Sequence, residues 1–411
     1  MVAGASNGGV TNSGSSRIPL AGNSEKQRMD QPIVVVGAGQ AATEFAVALR
    51  AQGFTGPIQV VGDEPYLPYQ RPPLSKDYLS GKSPYEKLML RPESFWHEQK
   101  VEFLLGTAAA KINREQRKLI LADGRELPYG TLVLATGTRA HVPPITGIDL
   151  PIVHTLRKIG DVNRLRPALS AAKRVAIIGG GYIGLEVAAV ARGEGRDVTI
   201  LEAEDRVMKR VTCEHVSRFY QDMHRGHGVD IRTGVRIEAI ERDGIRLAGG
   251  ERIPADLILL STGARANEEL AKEAGLPCED GIVVNEFART ADEHIIAIGD
   301  CTRLPSRRYG RAIRLECVQN AFDQAKAAAA AIAGKGTPYD PVPWVWSDQY
   351  NVKFQSCGLS AGHDEANVVG DAAAGHFSVE YRKDGKLIAV DAVNDARAYM
   401  MGRKTIAAET A

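Results

Sequence analysis

Two short glycine-rich stretches carry the first chemical signal: "VVVGAGQAATEFAVAL" at residues 34 to 49 and "IIGGGYIGLE" at residues 177 to 186. In the first, Gly37 and Gly39 are followed by Ala42; in the second, Gly179 and Gly181 are followed by Gly184. The first glycine of such a set makes a tight turn after a strand. The second lets backbone N–H groups approach a pyrophosphate, which the positive end of the following helix attracts. The third small residue lets the helix pack on the strand. A carboxylate about twenty residues further on can then accept hydrogen bonds from the hydroxyls of an adenosine ribose. Both stretches have one: "IQVVGDE" ends on Asp63 and Glu64, and Glu202 lies near the end of "VTILEAE". A lone GxGxxG is weak, and a glycine-rich turn that binds nothing is the bland alternative. Strand, turn, helix, strand and acid in that order are far more specific.

The elements that must position these residues occur twice. Beyond each nucleotide-binding unit comes a hairpin-like segment, "LILADGRELPYGTLVLATG" at 119 to 137 and "IRLAGGERIPADLILLSTG" at 245 to 263. Each has a two-residue turn, Asp-Gly or Gly-Gly, then an apolar strand, then Thr-Gly, so Thr136-Gly137 matches Thr262-Gly263. The chain is therefore an internal duplication. Two adenine dinucleotide sites imply two different dinucleotides, most simply a resident flavin and a visiting nicotinamide. "ADEHIIAIGDCT" at 291 to 302 adds a strand ending in Gly299-Asp300, and the helix "NAFDQAKAAAAAIAG" follows, a further junction that could hold a phosphate or ribityl chain.

The 411 residues suffice for two or three cores, and a net charge of +1 gives no global pull toward nucleic acid or membrane. No apolar run is long enough to span a bilayer; "AAAAAIA" at 327 to 333 suits a buried helix. Residues 1 to 30, rich in Gly, Ser and Asn, read as a disordered tail without the apolar core of a signal peptide. Five cysteines, an odd number with no CxxC, argue against a disulfide scaffold and point to a reducing cytoplasm.

Taken together, "RPPLSKDYL" (71 to 79), "ATGTR" (135 to 139), "GGGYIGLE" (179 to 186), "AIGDCT" (297 to 302) and "WSDQY" (346 to 350) make the chain resemble the FAD-dependent NADH:ferredoxin reductases of bacterial oxygenase systems. These are the putidaredoxin reductase and biphenyl dioxygenase reductase type. A more distant resemblance is to the flavoproteins that include glutathione reductase. The resemblance implies an α/β fold with two Rossmann-like dinucleotide-binding domains and a small C-terminal α/β domain. It implies FAD on Gly37, Ala38, Gly39, Ala41 and Ala42, with Asp63 on its ribose and Glu64 as the competing choice. Lys76 is expected near the flavin ring, paired with Glu186, and Arg71 belongs to the same motif. Ala109, Thr136, Gly137, Arg139 and Arg157 are expected to flank the cofactor, Gly299 and Asp300 to meet its ribityl chain, Val318 its pyrimidine end, and Trp346 one ring face. NADH is expected on Gly179, Gly180, Gly181, Tyr182, Ile183 and Gly184, with Glu202 on its ribose and Arg210 and Gly263 nearby. The family carries a longer segment after the stretch matching "AYMMGRKTI", where this chain reads "AAETA".

In that reading Lys76 and Glu186 act electrostatically rather than as acid and base, because the cofactor carries the chemistry: NADH reduces FAD, and FAD passes electrons singly to a 2Fe-2S ferredoxin. The cysteines lack the spacing of iron–sulfur ligands, so the cluster belongs to a separate protein. Trp344 and Trp346 share one strand face, and Cys301 reads as a packing residue. "RLPSRRYGRAIR" at 303 to 314 holds five arginines and no acid. It is either a solvated loop or, through Arg307, Arg308 and Arg311, a docking loop for an acidic ferredoxin. The expected division is an FAD domain of residues 31–150 and 277–335, an NAD domain of 151–276 and a C-terminal domain of 336–411 with a hairpin at Asp384-Gly385, in a monomer or weak dimer. A disulfide reductase would need a cysteine in 64 to 110, and none is there. A redox-signalling flavoprotein resembling apoptosis-inducing factor is the alternative.

Overall fold

Five parallel strands form the first sheet, in the spatial order Ile295–Ala297, Thr131–Leu134, Ile33–Val36, Ile58–Gly62 and Val101–Leu105. Its central strand, Ile-Val-Val-Val, is buried on both faces, as β-branched residues in a covered parallel sheet are. The coordinates are a computed structural model and describe residues 31–408. The N-terminal segment read as a tail lies outside the described residues. Helix Gln40–Ala51 follows the first glycine turn and packs against the Ala-rich helix Val318–Ile332. Ala41, Ala42 and Ala46 meet Ala321, Ala325 and Ala328 in one core, where small side chains let the two helices approach closely.

The second sheet repeats the first: Asp230–Arg232, Asp197–Leu201, Arg174–Ile178, Leu257–Leu260 and Val153–Thr155, again all parallel. The edge strand beside the equivalent strands Thr131–Leu134 and Leu257–Leu260 comes from opposite directions in the two copies. In the first sheet it is Ile295–Ala297, far downstream; in the second it is Val153–Thr155, which precedes the glycine turn. Each copy also carries a three-stranded antiparallel meander, Ala109–Asn113 to Glu126–Pro128 and Ile237–Glu241 to Arg252–Pro254.

The chain crosses between the copies through a two-stranded antiparallel ribbon, Thr138–Ala140 with Ala264–Ala266. The duplicated Thr-Gly pairs hold this ribbon symmetrically. Thr136 Oγ1 donates to Asn267 O (2.6 Å), and Asn267 N donates to Gly137 O (2.9 Å). Correspondingly, Thr262 Oγ1 donates to His141 O (2.7 Å), and His141 N donates to Gly263 O (2.9 Å).

The C-terminal part is a five-stranded antiparallel sheet, in the order Trp344–Gln349, Val352–Gly358, Lys386–Val393, His376–Lys383 and Glu365–Asp371, followed by helix Ala396–Ala408. Its hairpin turns at Asp384 (φ 52°) and Gly385 (φ 76°), the two left-handed positions of a type I′ turn. Phe354, Phe377 and Tyr381 of this sheet share a core with Val187 and Tyr220 of the second copy and with Leu74 and Tyr78 of the first. All three parts meet there.

Candidate functional site

The two glycine turns match in backbone conformation and in what crowds them. Gly37 has φ +107° and Gly179 φ +105°, both in the region that favours glycine. A Cβ on Gly37 would lie 2.2 Å from Ala135 O, and one on Gly179 2.3 Å from Ser261 O. Gly39 and Gly181 then occupy the N-cap positions of the helices Gln40–Ala51 and Tyr182–Gly193, and neither has a capping side chain. At both, the space a Cβ would take holds nothing within 4 Å. Two helix starts with unspent amides and an open approach fit a pyrophosphate each. The third position differs: Ala42 fills it in the first copy. In the second, a Cβ on Gly184 would sit 2.3 Å from Gly179 O, so that helix needs glycine to seat on its turn.

The acids behave differently in the two copies. Glu202 directly follows its strand and accepts from Gly180 N (2.6 Å) and Glu204 N (2.9 Å), which aims its carboxylate at the glycine turn. In the first copy Glu64 is engaged by Tyr69 OH (2.7 Å) and Arg71 Nη2 (3.1 Å). Asp63 is left with a 60% exposed side chain, paired with Lys158 Nζ at 2.6 Å. Arg71 also donates to Arg157 O (2.7 Å), and Arg157 Nη2 donates to Asp300 Oδ2 (2.8 Å). Arg71, Arg157 and Asp300 are thus one connected set behind the first turn. Gly299, at φ +80°, packs over Ala41, and its N–H is given to Gln324 Oε1 at 2.7 Å. Arg139 is not brought there; its guanidinium lies on Asn267 Oδ1 (2.8 Å) and Glu269. Ala109 packs half-buried beside Val36 and Val61.

Lys76 and Glu186, 110 residues apart, form an ion pair at 2.7 Å. Pro72 and Pro73 preset the dihedrals of the short 3₁₀ turn Pro72–Ser75, which presents Ser75 and Lys76 to helix Tyr182–Gly193. Glu186 is 3% exposed and is also held by Ser75 Oγ on one oxygen and by Ser347 Oγ (2.6 Å) on the other. Lys76 reaches a pocket of about 220 Å³ whose lining includes Pro72, Val318, Trp346 and Asp348. Helix Val318–Ile332 starts there without a capping side chain. Trp346 and Trp344 lie 5.6 Å apart, and Trp344 leads outward to Arg403, whose guanidinium sits 5.4 Å from its ring.

On the other side of the second turn, Tyr182 is packed on Phe354 (5.6 Å), while Ile183 is 39% exposed along the open face. Arg210 approaches the Gly263 backbone, 3.2 Å from where a Cβ would be. Arg206 donates to Thr212 O (2.9 Å) and Ser217 Oγ (2.5 Å).

The arginine-rich stretch is a hairpin, Thr302–Ser306 with Arg311–Ile313. Arg314 pairs with Asp280 (3.2 Å) and Glu316, and Arg308 is tied to Ile406 O and, through its N–H, to Asp340 (3.1 Å). Among the described residues, Arg307 and Arg311 form no ion pair and are exposed. The stretch therefore offers fewer available cations than its five arginines suggest. Cys301 is fully buried, and burial pushes its thiol up; burial likewise pushes the thiols of Cys278 to about 11 and Cys317 to about 12, so none of the three is poised as a thiolate. Among the described residues no helix is long and apolar enough to cross a membrane.

Ser75, Ser347, Gln349 and His224 are site residues that sequence reasoning did not single out. Three of them, Ser75, Ser347 and Gln349, stand inside the quoted motifs "RPPLSKDYL" and "WSDQY", but a polar side chain in a motif gives no sign of its partner.

Residues 31–330 match the family described as pyridine nucleotide-disulphide oxidoreductase, and residues 344–411 match the reductase C-terminal family. A ferredoxin–NAD(P)(+) reductase of a Sphingomonas species is 41% identical over 92% of this chain and 93% of its own length. Putidaredoxin reductase of Pseudomonas putida is 43% identical over 88% of each chain. The crystal structure of a covalent putidaredoxin reductase–putidaredoxin complex matches with a TM-score of 0.89 at 41% identity, covering 92% of this chain and 93% of that one. The chain belongs to the pyridine nucleotide-disulphide oxidoreductase family, in the group with a reductase C-terminal domain, and its cofactors are FAD and a nicotinamide dinucleotide.

Proposed function

We propose that this protein is an NADH-dependent ferredoxin reductase serving an oxygenase system. The observation that carries the reading is the Lys76–Glu186 pair, drawn together at 2.7 Å beside the Trp346 pocket and between the two glycine turns. When bound, FAD supplies the conversion of a two-electron donor into single-electron transfers.

The chain's own residues bind, orient and exclude water. We assign FAD to the domain formed by residues 31–150 and 277–335, NADH to 151–276, and the cover over the ring to 336–411. Gly37 to Ala42 hold the FAD pyrophosphate on the uncapped helix start. Asp63 takes the ribose, a choice supported by the engagement of Glu64 with Tyr69 and Arg71. Asp300, steadied by Arg157, meets the ribityl chain, with Gly299 providing the close approach. Thr136 and Gly137 hold the ribbon behind it, and Val318 and Trp346 close the ring site against water. Lys76 offers positive charge to the ring and Glu186 negative charge to the nicotinamide, which assists charge developing on each. Gly179 to Gly184 hold the second pyrophosphate, with Arg210 and Gly263 beside it, and Glu202 takes the adenosine ribose. A carboxylate there repels a 2′-phosphate. The nearby Arg206 is spent on Thr212 and Ser217, which favours NADH over NADPH.

The partner is a 2Fe-2S ferredoxin with an acidic face, docking where Arg307 and Arg311 lie exposed beyond the flavin site; the protein acts as a monomer or weak dimer. The decisive experiment follows flavin reduction by NADH and then reoxidation by a panel of bacterial ferredoxins. Acceleration by at least one of them is expected. Slow NADH oxidation with no acceleration by any of them would favour the redox-signalling alternative.

A further inference from the structure

Glu186 is the end of a buried polar chain that continues far beyond the Lys76 pair. Ser347 Oγ donates to Glu186 Oε1 at 2.6 Å, and Gln349 Nε2 donates to Ser347 Oγ at 3.1 Å. Gln349 Oε1 faces His224 Nε2 at 2.9 Å, and His224 Nδ1 faces Tyr350 OH at 3.4 Å. Ser347, Gln349 and His224 are 0%, 1% and 0% exposed. The chain reaches solvent at Tyr350, whose ring stacks on the exposed His227 at 3.7 Å and 10°.

The carboxylate and the burial of His224 together fix the protons along this path. Glu186 can only accept from Ser347, so the Ser347 oxygen accepts from the Gln349 amide. That leaves Gln349 Oε1 to accept, which requires a proton on His224 Nε2; burial keeps the imidazole neutral, so Nδ1 presents a lone pair to Tyr350 OH. All four donors therefore point the same way, toward Glu186, and hydrogen bonds aligned in this manner polarise one another. An amide in the middle makes the path unsuited to carrying a proton, so its use is electrostatic. Tyr350 holds a left-handed backbone (φ +53°), uncommon for an aromatic residue, at the turn where its hydroxyl meets His224.

We propose that His224 and Gln349 are positioning residues that act through Ser347 to fix the Glu186 carboxylate and set the electrostatic field at the flavin ring. The inference rests on the reading that Lys76 and Glu186 border that ring. His224 lies on helix Glu214–Gly226 of the second copy and Gln349 on the C-terminal sheet, so the field depends on how those two parts are seated against each other. Each donor offsets part of the carboxylate's charge. Removing one leaves more negative charge toward the ring and disfavours added electrons.

The test uses holoprotein carrying His224→Leu or Gln349→Met, with His224→Gln as the conservative variant, since a glutamine amide can still donate to Gln349 Oε1. Three quantities are measured: the midpoint potential of bound flavin, the rate of flavin reduction at saturating NADH, and the thermal midpoint. His224→Leu and Gln349→Met are expected to lower the potential and slow reduction about fivefold. Half-saturation by NADH should stay within about twofold, and His224→Gln should restore both potential and rate. If one of the first two variants fails to fold, the other carries the test. Native potential and rate alongside a lowered thermal midpoint would overturn the proposal and leave a packing role. Glu186→Gln separates the two ideas. If it shifts the potential while the His224 and Gln349 variants do not, only the inference fails; if it too leaves potential and spectrum unchanged, the placement of Glu186 at the ring fails and the inference with it.

Discussion

Replacing Glu202 by Ala tests the nicotinamide site most directly, because its carboxylate has two separable jobs. One is internal: it accepts from Gly180 N at 2.6 Å and Glu204 N at 2.9 Å. The other, on the proposed assignment, is to bind the ribose of the dinucleotide. A hydrogen bond to a charged group contributes about 1.5–3 kcal/mol, so losing one ribose contact raises KM for NADH by roughly 10- to 100-fold, and losing both raises it further. These contacts exist equally in the ground and transition states, so the limiting rate of flavin reduction should fall less than about threefold. Discrimination against NADPH should shrink, since the charge that repels its 2′-phosphate is gone. Gly180 is buried, so leaving its N–H unpaired should also cost about 1–3 kcal/mol of stability. Glu202→Gln should restore only part of this, because an amide has one acceptor oxygen for two N–H groups. The assays are stopped-flow flavin reduction against concentration for NADH and NADPH, and denaturant unfolding. A large fall in the limiting rate with KM unchanged would refute the assignment.

Three further outcomes are expected. Gly37→Ala places a methyl 2.2 Å from Ala135 O at φ +107°, so the protein should purify with little flavin, measured as flavin absorbance per protein, while Gly124→Ala, at a hairpin turn with nothing within 4 Å, should retain it. The double variant Arg307→Ala, Arg311→Ala should raise KM for ferredoxin and flatten its salt dependence while sparing ferricyanide reduction; Arg308→Ala, which removes a contact with Ile406, should instead lower the thermal midpoint. Burial pushes His224 down to about 4 from an ordinary 6.5. The unfolded chain therefore binds more protons between those values, and stability contributed by neutral His224 is lost as pH falls through that window, by about 3 kcal/mol in all. His224→Gln should lose correspondingly less stability between neutral pH and about pH 4 in denaturant titrations.

What the sequence determines here is local. The glycine turns are legible because Gly37 and Gly179 occupy a backbone region that other residues avoid, and because buried strands and amphipathic helices leave periodic apolar patterns around them. The hairpin at Asp384-Gly385 follows from the same positional chemistry. Duplication makes the second copy readable from the first, down to the Thr-Gly pairs that hold the ribbon. Lys76 with Glu186 was reachable only through family resemblance, since nothing in their types or spacing joins residues 110 apart. The tertiary structure alone decided the rest. It engaged Glu64 and left Asp63 exposed, tied Arg308 and Arg314 down while leaving Arg307 and Arg311 at the surface, and engaged Arg206 with Thr212 and Ser217. It drew one edge strand from downstream and the other from upstream. It also assembled Ser347, Gln349 and His224 behind Glu186. A side-chain hydrogen bond between distant elements has no period and no fixed spacing; it exists only once the cores have packed and brought its two ends within about 3 Å.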